Sequence, residues 1–265
     1  MYTAAALVYP DALATSITLP MEILLAASQM ASLRKRGKPQ VRFLLAAPAR
    51  RQLTLGTGIT LKPDLTIDQL PQLDLLLLPA IWRSPLPTDD AARDWLPSVE
   101  GHAATGTKIC TVGTASYLLA ETGLLDGKPA TTHWHYFDRF AGRYPRVRLK
   151  TRHLITQCDN YYCVGSVNSI ADVMIHLVEE WFGSRIARAV EKQFSPEIRR
   201  SFSGAAYQEE PLTSHHDETV LEAQEWLQEH LSTPMTLASL AEHLGLSVRT
   251  LNRRFRQATG LSPQA

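Results

Sequence analysis

Lys108 to Trp134 reads KICTVGTASYLLAETGLLDGKPATTHW, and the fold class turns on this stretch. Ile109-Cys110-Thr111-Val112 is a short, partly β-branched run suited to a buried strand. At Gly113 the pattern changes. Ala115, Leu118 and Leu119 recur at helical spacing, and Gly123 closes the helix. A strand that becomes a helix at one residue has the geometry of a nucleophile elbow, where a strained turn lifts a side chain over the end of a sheet. The residue at this elbow is Gly113, which has no side chain to lift. Cys110 lies earlier, inside the strand, and reads as a small buried apolar residue.

Outward from the elbow, strands and helices alternate. Ala4 to Tyr9 is a compact apolar strand ended by Pro10-Asp11. Leu19 to Leu33 reads as a helix with Pro20 near its first turn, and Gln40 to Ala47 as a second strand. Leu53–Leu55 and Ile59–Leu61, joined by Gly56-Thr57-Gly58, form an expected hairpin. Asp74 to Leu78 ends at Pro79 as a buried parallel strand should. Ala91 to Ala104 is expected to be helical. Further strands are expected over Val147–Lys150, Leu154–Thr156 and Tyr161–Val164. A long helix runs from about Asn168 to Phe182 and turns Ile170, Val173, Met174, Leu177 and Val178 inward. Asp172, at its start, reads as a cap or packing partner. Gly183 interrupts the helix and Arg185 to Lys192 resumes it. The alternation predicts an α/β fold with a doubly wound, flavodoxin-like, mostly parallel sheet, in which ligands bind beyond the carboxyl ends of the strands.

The chain has 265 residues, 45% hydrophobic and 20% charged, with a net charge of +1. That is room for one large globular domain and a small one. Cys110, Cys158 and Cys163 form no C-x-x-C pair and no secreted framework, so a reducing cytoplasm is expected. The N-terminus lacks a basic leader, and no run is expected to reach the length of a membrane span. His215-His216, in a polar stretch, reads as solvated, and neither a metal nor a cofactor is expected.

Residues 203–216 are small, polar and aperiodic, and read as a linker between an α/β domain (1–202) and a second domain (217–265). Val220, Ala223, Leu227 and Leu231 form one apolar helical stripe. Thr236 caps a short helix bearing Leu237, Leu240, Ala241 and Leu244; Gly245 turns the chain and Ser247 caps the next helix. This is a helix-turn-helix. On its last helix Leu251, Phe255 and Ala258 face one way and Arg249, Asn252, Arg253 and Arg256 the other, with Arg254 at the flank. Residues 205–231 carry seven acids and no Lys or Arg, whereas residues 232–265 carry four Arg and one Glu. The near-zero total therefore hides a basic helix, and arginine suits phosphates and guanine edges.

These motifs resemble known families. GTASYLLAETGLLDGKPATTHW is similar to the elbow region of the class I glutamine-amidotransferase-like (PfpI/ThiJ) superfamily, in the variety fused to a DNA-binding domain in GlxA-type regulators. LVEEWFGSRIARAV and the later Arg199-Arg200 resemble that domain's closing helices. LASLAEHLGLSVRTLNRRFRQATGLSP resembles the first helix-turn-helix of AraC/XylS regulators through Ser247, Arg249, Leu251, Arg253, Phe255, Gly260, Ser262 and Pro263. That family continues into a second helix-turn-helix, which this sequence does not include. The resemblance implies a Cys at the elbow, where Gly113 stands, a His twenty residues on, at His133, and an acid on the first helix, at Glu22. It also implies glycines after the strand that here continues as Leu78-Pro79-Ala80-Ile81-Trp82, so the donors of an oxyanion hole are in doubt.

The resulting expectation is a non-enzymatic regulator. The first domain would sense a small effector through Glu22, Gly113, His133, Trp82 and Trp134. An amine, amino acid or quaternary ammonium compound is expected, because a carboxylate with aromatic rings favours cations. The second would bind operator DNA through Ser247, Arg249, Asn252, Arg253, Arg254 and Arg256. A homodimer is expected. The alternative is a PfpI-like hydrolase or glyoxalase-type enzyme using Cys110, or a water activated by Glu22 and His133.

Overall fold

A computed structural model describes residues 1–35, 41–81, 95–194, 206–208, 217, 219, 220, 223, 226, 227, 236–260, 262 and 263. The chain divides into two compact units, Met1–Gln208 and Glu209–Ala265.

In the first unit β1 (Tyr2–Leu7), β2 (Val41–Ala47), β5 (Leu65–Thr66), β6 (Leu75–Leu78), β7 (Lys108–Val112), β10 (Ile155–Cys158), β11 (Tyr161–Val164) and β12 (Ala206–Gln208) form one eight-stranded sheet. Its order is β12-β10-β11-β7-β6-β1-β2-β5. All neighbours are parallel except β10 and β11. The inner strands β2-β1-β6-β7-β11 follow the 2-1-3-4-5 order of flavodoxin-like sheets, as the alternating pattern predicts. Leu75 to Leu78 are at most 1% exposed, which is why the run has no alternation: both faces of a central parallel strand are covered. Each such leucine contributes on the order of 1.5–3 kcal/mol through burial.

The hairpin is present as β3 (Leu53–Thr54) and β4 (Thr60–Leu61). Pro129–Ala130 (β8) and Arg148–Leu149 (β9) pair in parallel as a separate ribbon. The helices are α1 (Thr15–Lys35), α2 (Leu96–Ala104), α3 (Ser116–Glu121), α4 (Phe137–Arg143), α5 (Ile170–Phe182) and α6 (Ser184–Phe194). Helices α1, α5 and α6 pack on one another, and α2 packs beside α3. All five inward positions expected on α5 are buried. The part of the expected second helix over residues 91–94 lies outside the described residues.

Three expectations need correcting. The first helix starts at Thr15, so Pro20 lies inside it. Thr15–Leu33 is also long and apolar enough to cross a membrane by length and composition. In this fold it is a core helix instead, with Ile17, Ile23, Leu24, Ala27 and Ala31 buried. The stretch read as a linker contributes Ala206–Gln208, which pairs in parallel with Ile155–Gln157. A three-residue edge strand is too short to carry a period, and only the open edge of β10 defines it.

In the second unit α7 (Leu237–His243) and α8 (Val248–Thr259) pack through Leu240, Ala241, Leu251 and Phe255 against Val220 and Ala223. Trp226 and Leu227 cover the same core. Thr236 Oγ1 accepts from Ser239 N–H at 3.1 Å, and Ser247 Oγ accepts from Thr250 N–H at 3.2 Å. These are the two caps expected from the sequence. Leu231 and His215-His216 lie outside the described residues.

Candidate functional site

Register sets the elbow. Leu78 of β6 lies beside Thr111 and Val164 of β11 beside Val112, so the chain ends at residues 79–81, 113–116 and 165–168 emerge on one edge. Gly113 is buried and takes φ +55°, the left-handed conformation of an elbow residue. A Cβ placed there would meet Ala80 Cβ at 3.4 Å. An L-residue at Gly113 would therefore face backbone strain, while its Cβ would make an ordinary van der Waals contact. Thr132 Oγ1 donates to the Gly113 carbonyl at 3.2 Å, and Ser116 Oγ does so at 3.1 Å.

The donors that would stabilise an oxyanion are committed elsewhere. Ala80 N–H donates to Ser16 Oγ at 3.0 Å, and Ile81 N–H donates to Thr114 Oγ1. Catalysis through an oxyanion hole requires such donors to be aimed at the reacting oxygen. Here both hold the structure together. Cys110 is fully buried, and burial together with the neighbouring Cys163 raises its thiol well above the ordinary range. A thiol so placed is not a nucleophile at neutral pH.

The expected convergence of Glu22, Gly113, His133 and Trp134 is not what the described residues assemble. Glu22 is exposed on α1, because Ile23, Leu24, Ala27 and Ala31 define the buried stripe and Glu22 falls outside it. Trp82 lies outside the described residues. Gly113 is covered by Thr132 and Ala80. His133 and Trp134 instead line a cavity of about 300 Å³ bounded by residues 131–134 with Phe137, 151–154 and 165–168. Trp134 is 70% exposed and Leu154 57% exposed, so two of the cavity's apolar residues stand largely in solvent. Among the described residues no Asp or Glu lines this cavity, and Arg152 is the only Lys or Arg that does.

His133 is half-buried and caps the 3-10 turn Trp134–Tyr136. Its Nδ1 accepts from His135 N–H at 3.3 Å, which leaves the proton on Nε2. Burial, and secondarily the charge of His135, lowers its pKa, so the ring is neutral at pH 7. Gly165 is a close-approach position: a Cβ there would stand 2.8 Å from the Thr132 carbonyl oxygen. This contact lets the 165–168 loop lie directly against the strand end carrying His133. Arg152, His153, Ser166 and Asn168 were missed from sequence, because they belong to loops with no periodicity that only the sheet brings together.

In the second unit α8 presents Arg249, Arg253 and Arg256 to solvent at i, i+4 and i+7, one face of the helix. Three other expected DNA contacts are placed differently. Arg254 forms a two-pronged pair with Asp217, Nε to Oδ2 at 2.8 Å and Nη2 to Oδ1 at 2.7 Å. Ser247 is engaged as the cap of α8, and Asn252 Nδ2 donates back to Val248 O at 3.1 Å. The signal for the Arg254 pairing, an Asp 37 positions upstream within an acidic segment, cannot be read without the tertiary fold.

Residues 227–265 match the family described as bacterial regulatory helix-turn-helix proteins, AraC family. The chain is 26% identical over 217 residues to the HTH-type transcriptional regulator GbdR of Pseudomonas aeruginosa, covering 80% of this chain and 57% of that protein. It thus spans a little over half the length of that relative. It is 30% identical over 188 residues to the isonitrile hydratase of Pseudomonas putida, covering 71% of this chain and 75% of that enzyme. The crystal structure of a ThiJ/PfpI family protein from Pseudomonas syringae superposes with a TM-score of 0.60 at 21% identity, over 92% of this chain and 90% of that one. With the elbow, the sheet order and the capped helix-turn-helix, these likenesses converge. The chain belongs to the AraC family of regulators, in the group whose N-terminal domain is of the ThiJ/PfpI, amidotransferase-like type.

Proposed function

We propose that this chain is a one-component transcriptional regulator. Its C-terminal unit binds operator DNA through the exposed Arg249, Arg253 and Arg256. Its α/β unit recognises a small effector without transforming it. The observation that carries the second half is the state of the elbow: Gly113 lacks a nucleophile, and the Ala80 and Ile81 N–H groups are already engaged. A cytoplasmic homodimer accords with this reading, since paired reading heads double the DNA contacts of one helix-turn-helix. His133 and Trp134 remain effector-contacting residues in this proposal. Gly113 is the position whose lost side chain separates sensing from reaction, and Glu22 has no part in the described cavity.

The test is selection of binding sequences from random duplexes by the chain, followed by gel-shift titration. Saturable, sequence-selective binding that weakens in Arg249→Ala and Arg253→Ala supports the role. Binding of all duplexes with equal affinity overturns it.

The second reading, a hydrolase- or hydratase-type enzyme, is favoured by one observation: the 30% identity to an isonitrile hydratase. It would need a nucleophile or activated water outside the elbow. Turnover of an isonitrile or amide by the purified chain, abolished by Cys110→Ala or His133→Ala, would establish it.

A further inference from the structure

Arg249, Arg253 and Arg256 make one face of α8 cationic, and a residue of another kind stands beside them. Val248, the first residue of α8, is 39% exposed. The other large apolar residues of the helix, Leu251 and Phe255, are buried in a cluster with Val220 and Ala223, and Val248 lies outside that cluster. Val248, Asn252 and Arg256 follow one another at i, i+4 and i+8, so the exposed valine begins a stripe that continues into the arginine face. Asn252 Nδ2 donates back to the Val248 carbonyl at 3.1 Å, which ties the stripe together at its start.

Nothing local favours a valine there. A β-branched side chain loses rotamer freedom in a helix, and the exposed part of this one adds nothing to the core. The next residue, Arg249, puts a cation in a first turn that holds no acid, against the sign the helix dipole prefers. Two departures from local stability on one exposed face are expected where the face has a task. A helix-turn-helix enters the major groove with the N-terminal residues of its second helix against the base edges. The apolar feature that marks a base in that groove is the C5 methyl of thymine.

We propose that Val248 is a specificity-determining residue that packs its two methyl groups on the thymine C5 methyl of one base pair in the operator. This deepens the DNA-binding role proposed above and rests on it. The contact carries no charge, so it selects thymine without adding to the salt dependence that the arginines supply.

The test uses the sequence that the whole chain selects from random duplexes. Each thymine in it is replaced in turn by deoxyuridine, which deletes the C5 methyl and leaves the hydrogen-bonding edges of the base pair intact. At one thymine the parent chain is expected to bind the uracil duplex roughly fourfold more weakly, the worth of one buried methyl group. Val248→Ser removes both γ-methyls, and Val248→Ala does so with a better helix former. In both variants the ratio of thymine to uracil affinity at that position should fall towards one. Val248→Ile, which keeps the apolar branch, should keep the preference. Arg249→Ala should weaken binding to both duplexes and leave their ratio unchanged.

The assignment is overturned if no thymine-to-uracil change alters the parent affinity by as much as about twofold, or if the preference survives undiminished in both Val248→Ser and Val248→Ala. A selected site without thymine overturns it too. In each of these cases selective DNA binding, and with it the regulatory role, still stands. If the chain selects no sequence at all, the regulatory role falls and the assignment falls with it.

Discussion

Thr114 Oγ1 closes a ring with Ile81: it accepts the Ile81 N–H at 2.9 Å and returns its own proton to the Ile81 carbonyl at 3.0 Å. The loop after β6 is thereby tied to the elbow by a buried hydroxyl, at the place where an enzyme of this fold would aim free donors at its substrate. Thr114, the residue after Gly113, thus engages both the N–H and the carbonyl of Ile81.

Restoring the sulfur should therefore not restore chemistry. Gly113→Cys is expected to show no amidase or isonitrile-hydrating turnover above the parent chain. The left-handed backbone at Gly113 should cost this variant about 1–2 kcal/mol of stability. Turnover assays alongside urea unfolding would check both halves, and turnover in Gly113→Cys alone would refute the first.

Thr114→Val removes the hydroxyl at nearly constant volume and leaves the Ile81 N–H buried without its acceptor. The expected loss is roughly 1–3 kcal/mol, read as a lower urea midpoint with an unchanged slope. Thr114→Ser, which keeps the hydroxyl, should recover most of it.

Arg254 and Arg249 should separate on DNA. Arg249→Ala, Arg253→Ala and Arg256→Ala each remove an exposed cation, and each should flatten the slope of log affinity against log salt by about 0.9 if it contacts a phosphate. Arg254→Ala should leave that slope unchanged while lowering the melting temperature of the C-terminal unit, because its partner is Asp217.

Asp217 makes that unit sensitive to acid. Burial raises its pKa, but the hydrogen bond from Arg254, the Val220 and Thr219 amides and the Arg254 charge outweigh burial, and the net pKa is lowered. A carboxyl whose folded pKa lies below its unfolded value stabilises the fold fully above the unfolded value, near 3.9. That contribution is lost as pH falls through the folded pKa. Thermal melts of the whole chain from pH 6 downward should show the C-terminal transition falling below about pH 4, and Asp217→Asn should lose this dependence.

Gly165→Ala should disturb the cavity wall, because its Cβ would stand 2.8 Å from a backbone oxygen that cannot swing aside. A destabilisation of about 1–3 kcal/mol is expected. Gly142→Ala should lose far less, since a Cβ at Gly142 meets nothing within 4 Å.

Much of this was legible in one dimension. The run Leu75–Leu78, the switch from strand to helix at Gly113, the stripe Ile170–Val178 and the caps Thr236 and Ser247 are local patterns, and each appears in place. The candidate site was legible only in part. His133 lines the described cavity, whereas Glu22 stands exposed on α1, because neighbouring helix positions point about 100° apart and the buried stripe takes Ile23 and Leu24. Arg152 and Ser166 carried no signal at all. Arg254 looked like its neighbours until Asp217 was seen to hold it.

The order of residues alone determined that the chain makes a doubly wound sheet and a basic reading helix, and that its elbow holds a glycine. These follow from periodicity, capping chemistry and residue identity, which act over a few neighbouring positions. Only the tertiary structure decided which cations are free, which backbone donors are spent and which loops wall the cavity. Those depend on contacts between residues tens of positions apart, where a hydrogen bond or a charge has no trace in local pattern until the sheet register sets its partner.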